Sequence, residues 1–202
     1  PSFAEPAGTQ DATPFYAIHY SRRPGIAELT ALGQAMFYDP GLSASAKSAC
    51  ASCHDPMHAF GPPNALPVQR SGPDLRQQGV RAAPSLTYRQ NVPGFTEHFF
   101  DADGNDAQDQ GPAGGLMWDG RVQSTHDQAK LPLFAPNEMA NESVPAVAAK
   151  LRVARYAADM RAAFGADVFD DDRRAFAAAL WSLEVFQQDP TQFYPYESKN
   201  DA

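Results

Sequence analysis

Cysteine is almost missing from this chain of 202 residues: Cys50 and Cys53 are the only two. Long apolar runs are missing too. None approaches the ~20 residues that cross a bilayer, so no membrane span is expected. There is no basic excess. The formal net charge is −8, which argues against nucleic acid as a partner, because such binders carry basic patches, and accords with solubility. Internal repeats and low-complexity blocks longer than a loop do not occur, and no alternating apolar pattern of strand length appears. The expected class is therefore all-α. The chain opens at Pro1 without a charged, apolar or small-residue targeting segment and so reads as a mature chain. Its length suits a single domain.

What is present is concentrated at Cys50-Ala51-Ser52-Cys53-His54. C-x-x-C-H is the attachment sequence of a c-type haem. The two sulfurs add to the haem vinyl groups as thioethers, and the adjacent imidazole supplies an axial nitrogen to the iron. A thioredoxin-like redox pair would need a βαβ context that is not visible here. A structural zinc would need four ligands at suitable spacing, and His19, His58, His98 and His126 are scattered. A plain disulfide would explain neither His54 nor the spacing. One covalent haem c per chain is expected. No cysteine is left for a structural disulfide, and haem attachment of this kind points to the periplasm.

Around the motif, the apolar spacing of Leu29, Leu32, Met36 and Phe37 predicts a helix from Ile26 to Tyr38, ended by Asp39-Pro40-Gly41. A short helix should carry Ser48 to His54. From Asp55 to Gly115 the chain is rich in proline, glycine and polar residues with little periodicity. So long an irregular stretch is usually functional, and wrapping a haem would account for it. Helices return from Ser124 to about Leu131. Another runs from a Ser143 cap, with Pro145 in its first turn, to a stop at Gly165. Asp170, Asp171 and Asp172 begin a last helix, with Phe176, Leu180, Leu183 and Phe186 along one face.

Several segments in order resemble one family. They are Leu32-Gly33-Gln34-Ala35-Met36-Phe37-Tyr38-Asp39-Pro40-Gly41-Leu42-Ser43, the run from Cys50 to Phe60, and Arg81-Ala82-Ala83-Pro84-Ser85-Leu86. They continue with Trp118-Asp119-Gly120-Arg121, Asp127-Gln128-Ala129 and Asn137-Glu138-Met139. The series is similar to the N-terminal, peroxidatic half of the bacterial di-haem cytochrome c peroxidase and MauG family. The resemblance implies a class I cytochrome c-like domain with long irregular haem-wrapping loops and extra C-terminal helices. Residues 1–24 read as an irregular arm, and the resemblance treats 1–202 as a single c-type haem domain with 191–202 a truncated linker to a second haem domain. A natural single-haem relative is the other possibility.

The same resemblance implies roles. His54 is the proximal iron ligand. Glu138 matches the distal acid/base of peroxide cleavage, which needs a proton taken from the near oxygen and given to the far one; without the resemblance it would be an exposed Glu in a turn. Gln128 matches a distal glutamine that orients peroxide, against a plain helix-surface amide. Trp118 matches the tryptophan between two haems, although a buried tryptophan is ordinarily a core anchor, and the two roles are compatible. Arg121 either binds a haem propionate or pairs with Asp119. Trp181, in the apolar last helix, reads as packing. Hydrogen peroxide would be the substrate, with electrons from a redox partner protein or a second haem domain.

Three departures matter. No histidine lies between Gly61 and Gln90, where classical members carry one that caps the iron, and His58 is too close to His54 to reach the opposite face. This favours the MauG-like branch. Ala82 stands where the family has an asparagine that binds calcium, which argues against that calcium site. Asp101-Ala102-Asp103-Gly104-Asn105-Asp106 is similar to a calcium loop, but with Asp106 at the EF-hand glycine position and Pro112 at the twelfth it reads as a solvated acidic turn. The alternative function is a single-haem electron-transfer cytochrome c, for which Met57, Met117 or Met139 would be a sixth ligand raising the potential.

Overall fold

Gly33 sits where two helices touch. In the computed structural model, which describes residues 15–100 and 108–196, a methyl group at this position would lie 2.0 Å from the Ser182 carbonyl and 2.6 Å from Phe186 Cβ. Helix α1 (Ile26–Phe37) thereby packs backbone to backbone on the last long helix, α5 (Asp172–Phe186). Leu29, Leu32, Met36 and Phe37 face inward from α1, and Phe176, Leu180, Leu183 and Phe186 from α5, all buried. Four inward apolar positions on each helix at three- and four-residue spacing are what a packed pair requires.

Helices α2 (Thr125–Phe134), α3 (Val144–Val153) and α4 (Ala157–Phe164) complete the bundle, with a short α6 (Pro190–Phe193). The all-α class holds. Among the described residues, regular strand is confined to the two-residue pair β1 (Arg70–Ser71) and β2 (Gln77–Gln78), antiparallel, inside the irregular half.

The caps follow the sequence. Ser124, Ser143 and Asp171 each accept a backbone N–H at a helix start. Gly165 ends α4 at φ 105°, a conformation open to glycine. Three expectations are corrected. The helix expected from Ser143 to Gly165 is two helices, because Ala154 turns extended (ψ 151°) and Tyr156 is buried, its hydroxyl donating to Asp39 Oδ2 at 2.8 Å. The helix from Ser124 runs past Leu131 to Phe134 and contains Pro132. The haem-motif helix is a single 3₁₀ turn, Cys50–Ser52.

Within the expected N-terminal arm, residues 15–24 pack on the bundle. The Phe15 ring stacks on His126 at 3.8 Å, and the Tyr16 hydroxyl donates to Glu184 Oε2 at 2.6 Å. At the other end, the segment expected to be linker begins as α6, whose Phe193 is fully buried and stacks on Phe60 at 4.1 Å. The acidic turn Asp101–Asp106 lies outside the described residues. No described helix is long and apolar enough to cross a membrane.

Candidate haem site

The motif turn is fixed by its own backbone. The Cys50 carbonyl accepts from Cys53 N–H (3.1 Å) and from His54 N–H (3.0 Å). Ser52 Oγ accepts from Ala49 N–H (2.9 Å). Beyond His54 the chain doubles back sharply. Asp55 caps the turn Pro56–His58, Asp55 N–H donates to the Gly61 carbonyl at 2.9 Å, and Ala59 and Phe60 are both left-handed (φ 53°). The return brings the Phe60 carbonyl to 2.9 Å from His54 Nδ1. Nδ1 is thereby engaged as donor, and the Pro84 carbonyl is a second backbone partner of the ring. Burial is the main cause that pulls His54 below the ordinary imidazole range, which favours the neutral, ligating form.

Cys50 and Cys53 are free thiols. Burial pushes Cys50 up to about 12 and Cys53 up to about 11, with the Glu138 charge adding to both. A redox-active pair needs a depressed pKa, so these thiols do not suit that use. Among the described residues, no three of His, Cys, Asp and Glu gather as a metal site.

Both cysteines and His54 line one cavity with about 870 Å³ of unfilled space, its open mouth included. Phe37, Ala83, Leu86, Met139 and Leu183 supply apolar wall, and Gln69, Arg81, Gln128, Asn137 and Glu138 supply polar groups. Two free thiols, an imidazole oriented by backbone carbonyls and a largely apolar chamber lined by all three fit a covalently held haem.

Glu138 reaches this cavity from the turn after α2. Its carbonyl accepts from Ser71 Oγ and from Gly72 N–H, both at 2.8 Å. Met139 N–H donates to the Pro132 carbonyl (3.0 Å), and the Met139 carbonyl accepts from Ala44 N–H (2.8 Å). Burial raises the Glu138 carboxyl above the ordinary range, and the Arg121 charge opposes the shift. Gln128 is buried one turn below Pro132, which has no N–H to bond its carbonyl. Its amide Nε2 faces Met117 Sδ at 3.9 Å.

The cavity therefore brings together Cys50, Cys53, His54, Gln128 and Glu138. Trp118 and Arg121 do not line it. Trp118 is 63% exposed, so it is not the core anchor that a tryptophan usually is; its indole N–H donates to the Ala82 carbonyl at 2.8 Å. Arg121 pairs with Asp119 at 3.4 Å, and Arg81 pairs with the same oxygen at 2.9 Å. His58 points outward and binds Asp55 at 2.8 Å. Met57 is 85% exposed, whereas Met139 is buried on the cavity wall.

Residues given no site role from the sequence include Ser48, Ser71, Arg81, Arg89 and Asn137. Ser48 Oγ and Ser71 Oγ are 2.7 Å apart, and Asn137 Nδ2 is buried without a partner among the described residues. Nothing in spacing could have found Ser71, which meets Glu138 across 67 residues.

The comparisons agree with this geometry. Residues 27–201 match the family model described as di-haem cytochrome c peroxidase. Methylamine utilization protein MauG of Paracoccus denitrificans is 40% identical over 184 residues, covering 89% of this chain and 45% of that protein. Cytochrome c551 peroxidase of Nitrosomonas europaea is 29% identical, covering 77% of this chain and 39% of the relative. Among solved structures, the diheme peroxidase BthA of Burkholderia thailandensis superposes with a TM-score of 0.72 at 33% identity, over 94% of this chain and 44% of the other. The chain thus spans less than half the length of these relatives. It belongs to the di-haem cytochrome c peroxidase family.

Proposed function

We propose that this chain is the haem c-bearing, peroxide-reacting unit of a MauG-like periplasmic protein. The observation that carries this reading is the single cavity lined by Cys50, Cys53 and His54 together with Gln128 and Glu138. When bound, the haem supplies a redox-active iron at which the O–O bond of a peroxide is cleaved.

Reducing hydrogen peroxide to two waters consumes two electrons and two protons. One proton must also move from the near oxygen to the far one. The Glu138 carboxylate takes that proton and returns it as the O–O bond lengthens. Its raised carboxyl suits both halves of the task, because an acid/base group works best with a pKa near the operating pH. Gln128 Nε2 spends little on the thioether of Met117, a weak acceptor, and keeps its donor capacity for a peroxide oxygen. Arg121 acts through its charge on Glu138 and not through the cavity wall.

Electrons come from a second haem, a small cytochrome or a protein substrate that is oxidised in giving them up. Trp118 stands at the surface with its indole fixed on Ala82, two residues before Pro84. Placed there, its π-system relays oxidising equivalents to a partner that covers it.

Haem-loaded protein tests the reading. The Soret band should survive acid–acetone extraction, and ferric protein should bind cyanide and consume peroxide with an added reductant. Loss of the band on extraction would overturn covalent attachment. A retained band with no cyanide binding and no peroxide consumption would instead favour an electron-transfer cytochrome ligated by Met139.

A further inference from the structure

A second chamber adjoins the haem cavity and shares Leu86 and Gln187 with it. Its wall is mostly polar, with Arg89, Gln90, Gln123, Ser124 and Gln188 among its residues. Arg89 is the cation of this chamber. It is partly buried, and desolvation, with no carboxylate to offset it, pulls its guanidinium below the ordinary range. The one carboxylate on the same wall, Glu184, is occupied by Tyr16 at 2.6 Å and His126 at 3.2 Å. A partly desolvated guanidinium without a carboxylate partner gains from an anionic ligand. The charge is also felt at His54, whose proton it disfavours. Arg89 therefore lies beside the attachment motif, with five donors in a planar fork that matches a carboxylate.

We propose that Arg89 binds a propionate carboxylate of the haem, with the amide side chains of the second chamber completing the site. This assignment rests on the haem reading above and gives Arg89 the task that the sequence offered to Arg121. Leu86 and Gln187 line both cavities, so a haem held by Cys50, Cys53 and His54 would have a carboxylate within reach of this polar chamber and its guanidinium.

The test uses the haem-loaded full chain and the variants Arg89→Gln and Arg89→Lys. Two readouts are independent of turnover: the haem midpoint potential and the propionate-bending band in resonance Raman. Arg89→Gln should lower the potential, because a positive charge near the iron favours the reduced state, and should shift the propionate band. Arg89→Lys should keep most of the potential while still shifting the band, since the fork is lost and the charge kept. Arg121→Gln should leave the band in place. An unchanged band in Arg89→Gln overturns the proposal, whether or not the potential moves. A wild-type chain that holds no covalent haem fails earlier, at the haem reading itself.

Discussion

Ser71 Oγ donates a 2.8 Å hydrogen bond to the backbone carbonyl of Glu138, and pairs at 2.7 Å with Ser48 Oγ, two residues ahead of Cys50. The Cys50–Ser52 turn and Glu138, to which we assign the acid/base role, are thus joined across the chain by two buried hydroxyls. Ser71→Ala removes the link without touching the cavity's charges. A neutral hydrogen bond is worth about 1 kcal/mol, so kcat/KM for peroxide should fall roughly fivefold with haem content unchanged. Steady-state kinetics on matched haem concentrations check this, and Ser71→Thr should recover part of the loss.

Gly33 predicts a stability effect with no catalytic component. Its methyl substituent would collide with the Ser182 carbonyl, which is backbone and cannot rotate away. Gly33→Ala should destabilise the α1–α5 contact by about 2 kcal/mol, within the range for overpacking. At this chain length that lowers Tm by roughly 4–8 °C, measurable by circular dichroism.

Trp118→Phe removes the indole N–H that bonds to Ala82 and the larger π-system, while an exposed position loses little packing. Peroxide KM and haem attachment should stay at wild-type values, and the rate of electron delivery from the partner should fall. Equal rates in stopped-flow reduction would leave Trp118 as a surface residue only.

The pH dependence has a definite sign. Burial raises the Glu138 carboxyl and the Arg121 charge lowers it. Activity that needs the carboxylate is present above this pKa and lost as pH falls through it, so the acid limb lies above the ordinary carboxylate value of about 4.3. Arg121→Gln removes the opposing charge. The limb should then move to higher pH, read from kcat/KM between pH 4 and 8.

Much of this was legible in the sequence for a physical reason: haem attachment and helix packing are local or periodic. Cys50, Cys53 and His54 are adjacent, and the core faces of α1 and α5 repeat at helical spacing. Glu138 and Gln128 became visible only through resemblance, since a Glu in a turn carries no signal of its own. Trp118 and Arg121 belonged to the same motif but do not line the cavity: the Trp118 indole is bonded to Ala82 and Arg121 is paired with Asp119. Arg89 and Ser71 lie in the irregular half, where no period marks an inward side chain. The break between α3 and α4 was invisible because it is imposed by burial of Tyr156 against Asp39, a tertiary event that propensity does not record.

The most direct test is the peroxide turnover of haem-loaded Glu138→Gln. The amide keeps the shape of the side chain and loses its proton chemistry. General acid–base catalysis contributes about 100-fold or more, so kcat should fall by at least that factor, the acid limb should vanish, and the Soret band of the resting protein should be retained. A variant that turns over peroxide at the wild-type rate, with the same pH profile, would contradict the assignment of Glu138 as the acid/base group of this cavity.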